Sequence, residues 1–110
     1  MSIICKLPNG NYLLWSTITD SPLTYGCPLP DLEAYLKEEY GNSYMTGEHP
    51  QRMRRVEQCG TSYMVAPCDF KELSNFNCAG PNGAQLTFDE IIKEFGQAPT
   101  EQKGIANDPE

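Results

Sequence analysis

A run of hydroxyl and acidic side chains directly follows the single tryptophan of the chain. Residues 16–26 read S-T-I-T-D-S-P-L-T-Y-G, after the apolar run Y-L-L-W. Hydroxyls and a carboxylate beside an aromatic ring could orient a small ligand at the mouth of a pocket. The same composition is typical of a turn whose side chains satisfy its own backbone. The candidate ligand site, with turn chemistry as the alternative, comprises Trp15, Asp20, Ser21, Thr24 and Tyr25.

The three arginines of the chain form a second candidate site, because all of them lie within four residues. On a helix, Arg52 and Arg55 share a face, while Arg54 points elsewhere. Guanidinium groups bind carboxylate and phosphate through paired hydrogen bonds, which favours contact with an anion or an acidic partner. The alternative is pairing within the chain, with Glu38, Glu39 or Glu57 as the carboxylates.

Metal binding and thiol catalysis find little support in the five cysteines and the single histidine. The spacing Cys59-x8-Cys68-x9-Cys78 lacks the short ligand pairs of common zinc sites. If residues 50–59 form one helix, His49 and Cys59 lie about 15 Å apart along its axis and cannot form a dyad. We expect no metal or cofactor, thiols that behave as small hydrophobes, and His49 as a helix cap or an exposed residue.

Common catalytic signatures are also missing from the sequence. No G-x-G-x-x-G, Walker loop, G-x-S-x-G or H-E-x-x-H occurs. Neighbouring carboxylates such as Glu38-Glu39 or Asp89-Glu90 point about 100° apart on a helix, so they do not converge on one substrate. We therefore predict no catalytic residue, which favours a protein that is not an enzyme but leaves the question open.

The candidate loop must be positioned by the two apolar runs at the start of the chain. Residues 2–7 and 12–19 flank Asn9-Gly10, a strong signal for a β-hairpin. Alternation places Ile3, Cys5 and Leu7 on one face, and places Leu14 and Ile18 together on one face of the second strand. Since both faces are apolar, we expect both to be covered.

Helical spacing predicts the elements that cover the hairpin. A first helix is predicted from Asp31 to Gly41, followed by a polar loop over 42–48. A second helix over 50–60 should lie against the surface, because only Met53 and Val56 give it an apolar face. Residues 61–66 read as a third strand, and a short helix at 69–76 carries Phe70, Leu73 and Phe76 at threefold spacing.

The last predicted helix begins at Thr87, where Thr87 and Glu90 form a capping box. Its apolar stripe should share one interior with Leu14 and Ile18 of the hairpin, and consists of Phe88, Ile91, Ile92 and Phe95. We predict a single globular domain over 1–96 and a disordered acidic tail over 97–110.

The element order β-β-α-α-β-α-α predicts an α+β fold. We expect a small, mostly antiparallel sheet, made of the N-terminal hairpin and a third strand, packed with three to four short helices.

The charge balance of the chain bears on its partners. With 15 acidic and 8 basic residues, the formal net charge is -7. Such a balance disfavours direct nucleic-acid binding and docking on anionic membranes, both of which need basic surface. We see no signal peptide and no apolar run long enough to span a membrane, and we therefore expect a cytoplasmic protein.

Three blocks of the sequence resemble small uncharacterised bacterial proteins. The blocks are W-S-T-I-T-D-S-P-L-T-Y-G, a helix end E-E-Y-G, and R-R-V-E-Q-C-G-T-S. Some of those proteins look like products of mobile gene cassettes of the integron type. The resemblance covers roughly residues 1–95 and implies a bacterial cytoplasmic origin, but it implies no activity for any residue.

Together these features favour a small binding or protein-interaction module. We expect a protein partner or self-association as a homodimer, because tyrosines are plentiful in the chain and favoured at interfaces. One alternative is a small-ligand binder or enzyme that uses residues 20–25 beside Trp15. A second is an acidic mimic of nucleic acid that inhibits a DNA-handling enzyme, which requires one continuous stripe of the carboxylates in 31–39, 69–72 and 89–94.

Overall fold

The N-terminal hairpin forms as predicted and lies at the centre of the fold. The structure, a computed structural model, describes residues 2–98. Strands β1 (Ser2–Lys6) and β2 (Tyr12–Ser16) pair antiparallel. In the turn, Gly10 has a φ of 89°, and the Asn9 carboxamide oxygen accepts a hydrogen bond from the Asn11 amide. The Asn-Gly signal therefore marks the turn, because both residues suit its backbone.

The sheet is completed by a short third strand in an unexpected place. Strand β3 (Ser21–Pro22) pairs with β2, giving an antiparallel sheet of order β1-β2-β3 and confirming the α+β fold. Pro22 lacks an N–H and suits this edge position. The third strand predicted over 61–66 was wrong, and only Thr61 forms a bridge, to Cys5.

The failure of residues 61–66 to form a strand has a local cause. The Ser62 amide donates to the Ile4 carbonyl, as in a strand pair. The Ile4 amide, however, donates to the Ser62 hydroxyl at 2.9 Å and not to a backbone carbonyl. Because a side chain takes the place of the backbone acceptor, the pairing ends there.

Within residues 2–98, four α-helices cover the hairpin: α1 (Leu29–Thr46), α2 (Glu48–Cys59), α3 (Phe70–Leu73) and α4 (Phe88–Phe95). Short 3-10 helices lie at Ser74–Phe76 and Pro81–Gly83. Gly41 interrupts α1 with φ 84° and ψ -179°, a conformation that favours glycine. The break at Gly41 is thus correct, but the predicted loop over 42–48 was wrong. The chain resumes a helical turn there, which the buried Tyr44 anchors.

Both predicted helix starts near the C-terminal end of the described chain are present. Asp69 with Glu72, and Thr87 with Glu90, form complete capping boxes. The apolar stripe predicted for the first of these helices, Phe70, Leu73 and Phe76, is wrong at its last member. Since α3 ends at Leu73 and a 3-10 helix follows, Phe76 is 84% exposed.

The hairpin separates two apolar clusters because alternate residues of a strand point to opposite faces. On one face, α3 and α4 contribute Phe70 and Ile91, while the hairpin contributes Ile3, Cys5, Leu7, Leu13 and Trp15. On the other face, α1 and α2 contribute Leu32, Leu36, Tyr44 and Val56, and the hairpin contributes Ile4 and Leu14. The expectation that both faces are covered is confirmed.

The shared interior proposed for the last helix needs correction. The helix α4 packs on the Trp15 face, whereas Leu14 lies on the opposite face with α1. Ile18 is 87% exposed, because β2 ends at Ser16. The Ser16 hydroxyl accepts hydrogen bonds from the amides of Ile18 and Thr19, which turns the chain away from the sheet.

Two further observations concern the extent of the chain. Within residues 2–98, no helix is both long and apolar enough to cross a membrane. The predicted tail spans residues 97–110, and from residue 99 onward it lies outside the described residues. The single domain over 1–96 stays a prediction.

Candidate functional site

The structure disperses the five residues predicted as a ligand site around the polar loop. Trp15 is 1% exposed and packs edge-to-face on Phe70, with ring centroids 5.6 Å apart. The Thr24 hydroxyl accepts a hydrogen bond from the Leu14 amide at 3.1 Å. Tyr25 stacks on Phe95, with centroids 6.1 Å apart. The indole therefore lies inside the core, while Thr24 and Tyr25 support the loop from its rim.

The remaining two loop residues also serve the turn. Asp20 has a φ of 51°, and its carbonyl accepts a hydrogen bond from the Cys78 amide at 2.8 Å. Ser21 belongs to β3, and its hydroxyl lies 2.8 Å from that of Thr19. These contacts favour turn chemistry, and a ligand site at residues 20–25 stays a prediction.

The three clustered arginines have different environments on α2. Arg52 points inward and is 5% exposed, Arg55 is half-buried, and Arg54 is exposed. The shared face of Arg52 and Arg55 is as predicted. Across residues 2–98, the only contact within 4 Å between a basic and an acidic side chain joins His49 to Glu33. Pairing of an arginine with Glu38, Glu39 or Glu57, the alternative from the sequence, is therefore wrong.

Neutral acceptors hold the buried guanidinium of Arg52. Its Nη1 donates to the Tyr44 hydroxyl at 2.8 Å, and its Nη2 donates to the Ser2 carbonyl at 2.6 Å. The guanidinium carbon also lies 5.7 Å from the centroid of the Tyr44 ring. A guanidinium has five N–H donors. In the part of the chain that the structure describes, these two hydrogen bonds leave the other donors of Arg52 without an acceptor.

A hydrogen-bonded chain behind Arg52 fixes its position. The Tyr44 hydroxyl lies 3.0 Å from His49 Nδ1, and His49 Nε2 lies 2.7 Å from a Glu33 carboxylate oxygen. The Tyr44 hydroxyl accepts from Arg52 and also bonds His49, whose other ring nitrogen bonds the Glu33 carboxylate. Both ring nitrogens of His49 thus have a hydrogen-bonding partner.

Sequence reasoning missed this network. His49 was expected as a cap or an exposed residue, but it is 4% exposed. The signal that could have found it is the spacing of His49, Arg52 and Val56, which places all three on one face of α2. With only one aliphatic member, that face looked too polar to be buried. The partner tyrosine lies beyond the break at Gly41, in a segment predicted as loop.

Arg52 and Arg55 line one cavity of about 220 Å³. It lies where β1 begins, beside α2 and the segment after it. The Arg55 Nε donates to the Ser62 carbonyl at 3.1 Å, which orients its guanidinium. The other walls are mainly apolar, with contributions from Ile3, Tyr63, Met64 and Val65. Two cationic groups thus face a small apolar cavity.

A second hollow is larger but offers weaker chemistry. It has a volume of about 500 Å³ and is lined by Lys6, Phe70, Lys71 and Phe88, among others. Both lysines are exposed, so water screens their ammonium groups. The cavity with the buried guanidinium is therefore the better candidate for a binding site.

Ionisation of the thiols argues against a cysteine nucleophile at three positions. Burial raises the pKa of the Cys5 thiol well above its ordinary value. Burial and then Asp31 raise the pKa of Cys27, and burial and then Glu72 raise that of Cys68. A thiolate is the nucleophilic form, so these thiols are poorly reactive near neutral pH. Cys5, Cys27, Cys59, Cys68 and Cys78 are all free.

Comparison of the chain with protein-family models, curated proteins and solved structures finds no match. The resemblance to integron-type cassette proteins, the cytoplasmic location and the nucleic-acid mimic stay predictions. The candidate site therefore depends on the geometry of the chain itself.

Proposed function

We propose that the protein is a small binding module that takes an anionic group of its partner at the cavity lined by Arg52 and Arg55. The observation that carries this proposal is Arg52, a residue that is 5% exposed and whose guanidinium has no carboxylate partner within residues 2–98. Its neighbours Tyr44 and Ser2 hold it in place without neutralising its charge.

The physical case depends on the desolvation of the arginine. A buried charge is unfavourable unless it is paired, because the interior does not replace its hydration. Folding has already removed part of the hydration of Arg52, so an incoming anion meets a cation that is ordered and partly dehydrated. Arginine also presents its donors in a planar fork that matches a carboxylate. Half-buried Arg55 adds a second cation at the same cavity.

The proposal is tested by titrating the isotope-labelled protein with sodium butyrate at constant ionic strength. We expect saturable shifts of the amide signals of Ile3 and Ser62–Val65 up to about 50 mM, a range that covers millimolar complexes. Arg55→Gln should weaken binding about tenfold, because it removes one charge-assisted hydrogen bond.

Arg54→Gln is the matched control for this experiment. It removes the same charge from the same helix, but Arg54 does not line the cavity. Binding should be unchanged in that variant. Equal weakening by both substitutions, or shifts that never saturate, would mean that the arginines attract anions only nonspecifically.

Self-association is a second proposal, supported by aromatic side chains on the surface. Tyr35 and Tyr40 of α1 are 47% and 54% exposed, and Phe76 is 84% exposed. Aromatic residues are enriched in protein interfaces. Light scattering over a range of concentrations tests this proposal, and a strict monomer at about 100 μM would contradict it.

A further inference from the structure

The volume of the arginine cavity limits what can occupy it. Pockets for drug-sized ligands have volumes of about 300–1,000 Å³. At about 220 Å³ the cavity is smaller than these pockets, and it has room for one side chain of a partner.

The rim of the cavity supplies an apolar contact surface. Met64 and Val65 line the cavity and are 69% and 86% exposed, on the bend that follows Tyr63. Thr17 also lines the cavity, and the next residue, Ile18, is 87% exposed but does not line it. Exposed apolar side chains gathered around a polar point are typical of protein-interaction sites.

The charges of the cavity favour a carboxylate over a phosphate. Two guanidinium groups face a largely apolar wall, and the hydrogen bonds to Tyr44 and Ser2 already occupy two of the five N–H donors of Arg52. A dianionic phosphate would need more compensation than this wall provides. It would also be repelled more strongly by a chain whose formal net charge is -7.

We infer that the partner is a protein segment that inserts a glutamate or aspartate side chain between Arg52 and Arg55 while its flanking apolar side chains cover Met64 and Val65. This inference rests on the proposed function and adds the chemistry of the partner. The carboxylate fixes the register of the segment, and the flanking side chains add affinity through burial.

Four short peptides test the inference by isothermal titration. The probe is acetyl-Leu-Glu-Leu-amide, and its comparisons replace the glutamate by glutamine, the leucines by alanines, or the glutamate by phosphoserine. We expect the probe to bind at least about tenfold tighter than each comparison, because each lacks one matched feature. Arg55→Gln should remove that advantage over the glutamine peptide.

Substitutions on the rim separate the apolar contact from the charge. The double variant Met64→Ser and Val65→Ser should bind the leucine peptide no better than the alanine peptide. Because the two peptides are compared on the same variant, any general loss of carboxylate binding weakens both alike and leaves this comparison intact. Phe76→Ser is the matched control, because it removes an exposed apolar side chain that does not line the cavity. Circular dichroism verifies that each variant is folded.

The outcomes distinguish the two proposals. If butyrate binds in an Arg55-dependent way but the leucine peptide gains nothing over the alanine peptide, the proposed function stands and the inference about the partner is overturned. Tighter binding of the phosphoserine peptide would overturn the choice of a carboxylate. If neither butyrate nor any peptide binds, both proposals are wrong.

Discussion

The two arginines Arg52 and Arg54 carry the same formal charge two residues apart, but their environments differ. Arg54 is exposed, so water and salt screen its charge. Arg52 is buried against the Tyr44 ring and is held by oxygen atoms that carry no full charge. Within residues 2–98, no carboxylate pairs with Arg52 to offset its positive charge at the cavity. Burial without neutralisation is what makes this residue a candidate for binding.

Cys5 leads to a prediction about stability at alkaline pH. An unfolded thiol ionises near its ordinary pKa of 9.0, whereas burial raises the pKa of folded Cys5 well above that value. Ionisation of the thiol therefore stabilises the unfolded state as the pH rises above 9. The contribution of the buried, un-ionised Cys5 thiol to the free energy of unfolding is fully present below pH 9. It is lost as the pH approaches the pKa of the folded state, and the free energy of unfolding then falls by up to about 1.4 kcal/mol per pH unit.

Urea unfolding between pH 7.5 and pH 10 measures this effect. Cys5→Ala should show a shallower fall of the free energy of unfolding above pH 9 than the original chain, whatever its stability at neutral pH. Cys78 is exposed, so Cys78→Ala should keep the original slope. Equal slopes in all three proteins would show that Cys5 ionises as readily when folded as when unfolded.

At the scale of elements, local signals predicted more than long-range ones. The Asn9-Gly10 turn and the capping box of Thr87 and Glu90 depend on residues a few positions apart, and both are present. The strand at 61–66 failed because the Ser62 hydroxyl takes the Ile4 amide, a contact across 58 residues. For the same reason, the sequence indicated the shared face of Arg52 and Arg55 but not the partners that bury Arg52. Residues from three elements form that environment.

The Tyr44 hydroxyl connects three elements. It links α1 to α2 through its hydrogen bonds with His49 and Arg52, and Arg52 also donates to the Ser2 carbonyl of β1. Tyr44→Phe would leave His49 Nδ1 and Arg52 Nη1 without their partner inside the protein. An unsatisfied buried polar group costs about 1–3 kcal/mol, so we expect a loss of that order in the free energy of unfolding. Urea denaturation measures it.

Tyr40→Phe is the matched control, because Tyr40 lies on the same helix and is 54% exposed. Its hydroxyl can return to water, so the change should remain within about 0.5 kcal/mol. If the two variants were equally stable, the hydrogen-bonded chain behind Arg52 would contribute nothing to the fold.

At the scale of the whole molecule, the hairpin contacts every layer. One apolar cluster lies between one face of the hairpin and helices α1 and α2, and the other lies between the opposite face and helices α3 and α4. Its turn also fixes the end of the last helix, because the side chains of Asn9 and Asn11 both donate to the Gly96 carbonyl at 3.0 Å. The apolar pattern predicted that both faces would be covered, but it could not assign helices to faces, since every amphipathic helix fits either one.

Gly26, in the segment between β3 and α1, packs its backbone closely against the end of α4. Its amide donates to the Phe95 carbonyl at 2.7 Å, and a Cβ added at Gly26 would overlap the Gly96 carbonyl oxygen. Backbone cannot move aside as a flexible side chain does, so Gly26→Ala should cost at least about 2 kcal/mol of stability in urea. At Gly47, an added Cβ would lie 3.2 Å from its nearest neighbour, the Ser43 carbonyl oxygen, and Gly47→Ala should cost less than about 1 kcal/mol. Equal stability of the two variants would mean that α4 docks more loosely on the hairpin than this contact requires.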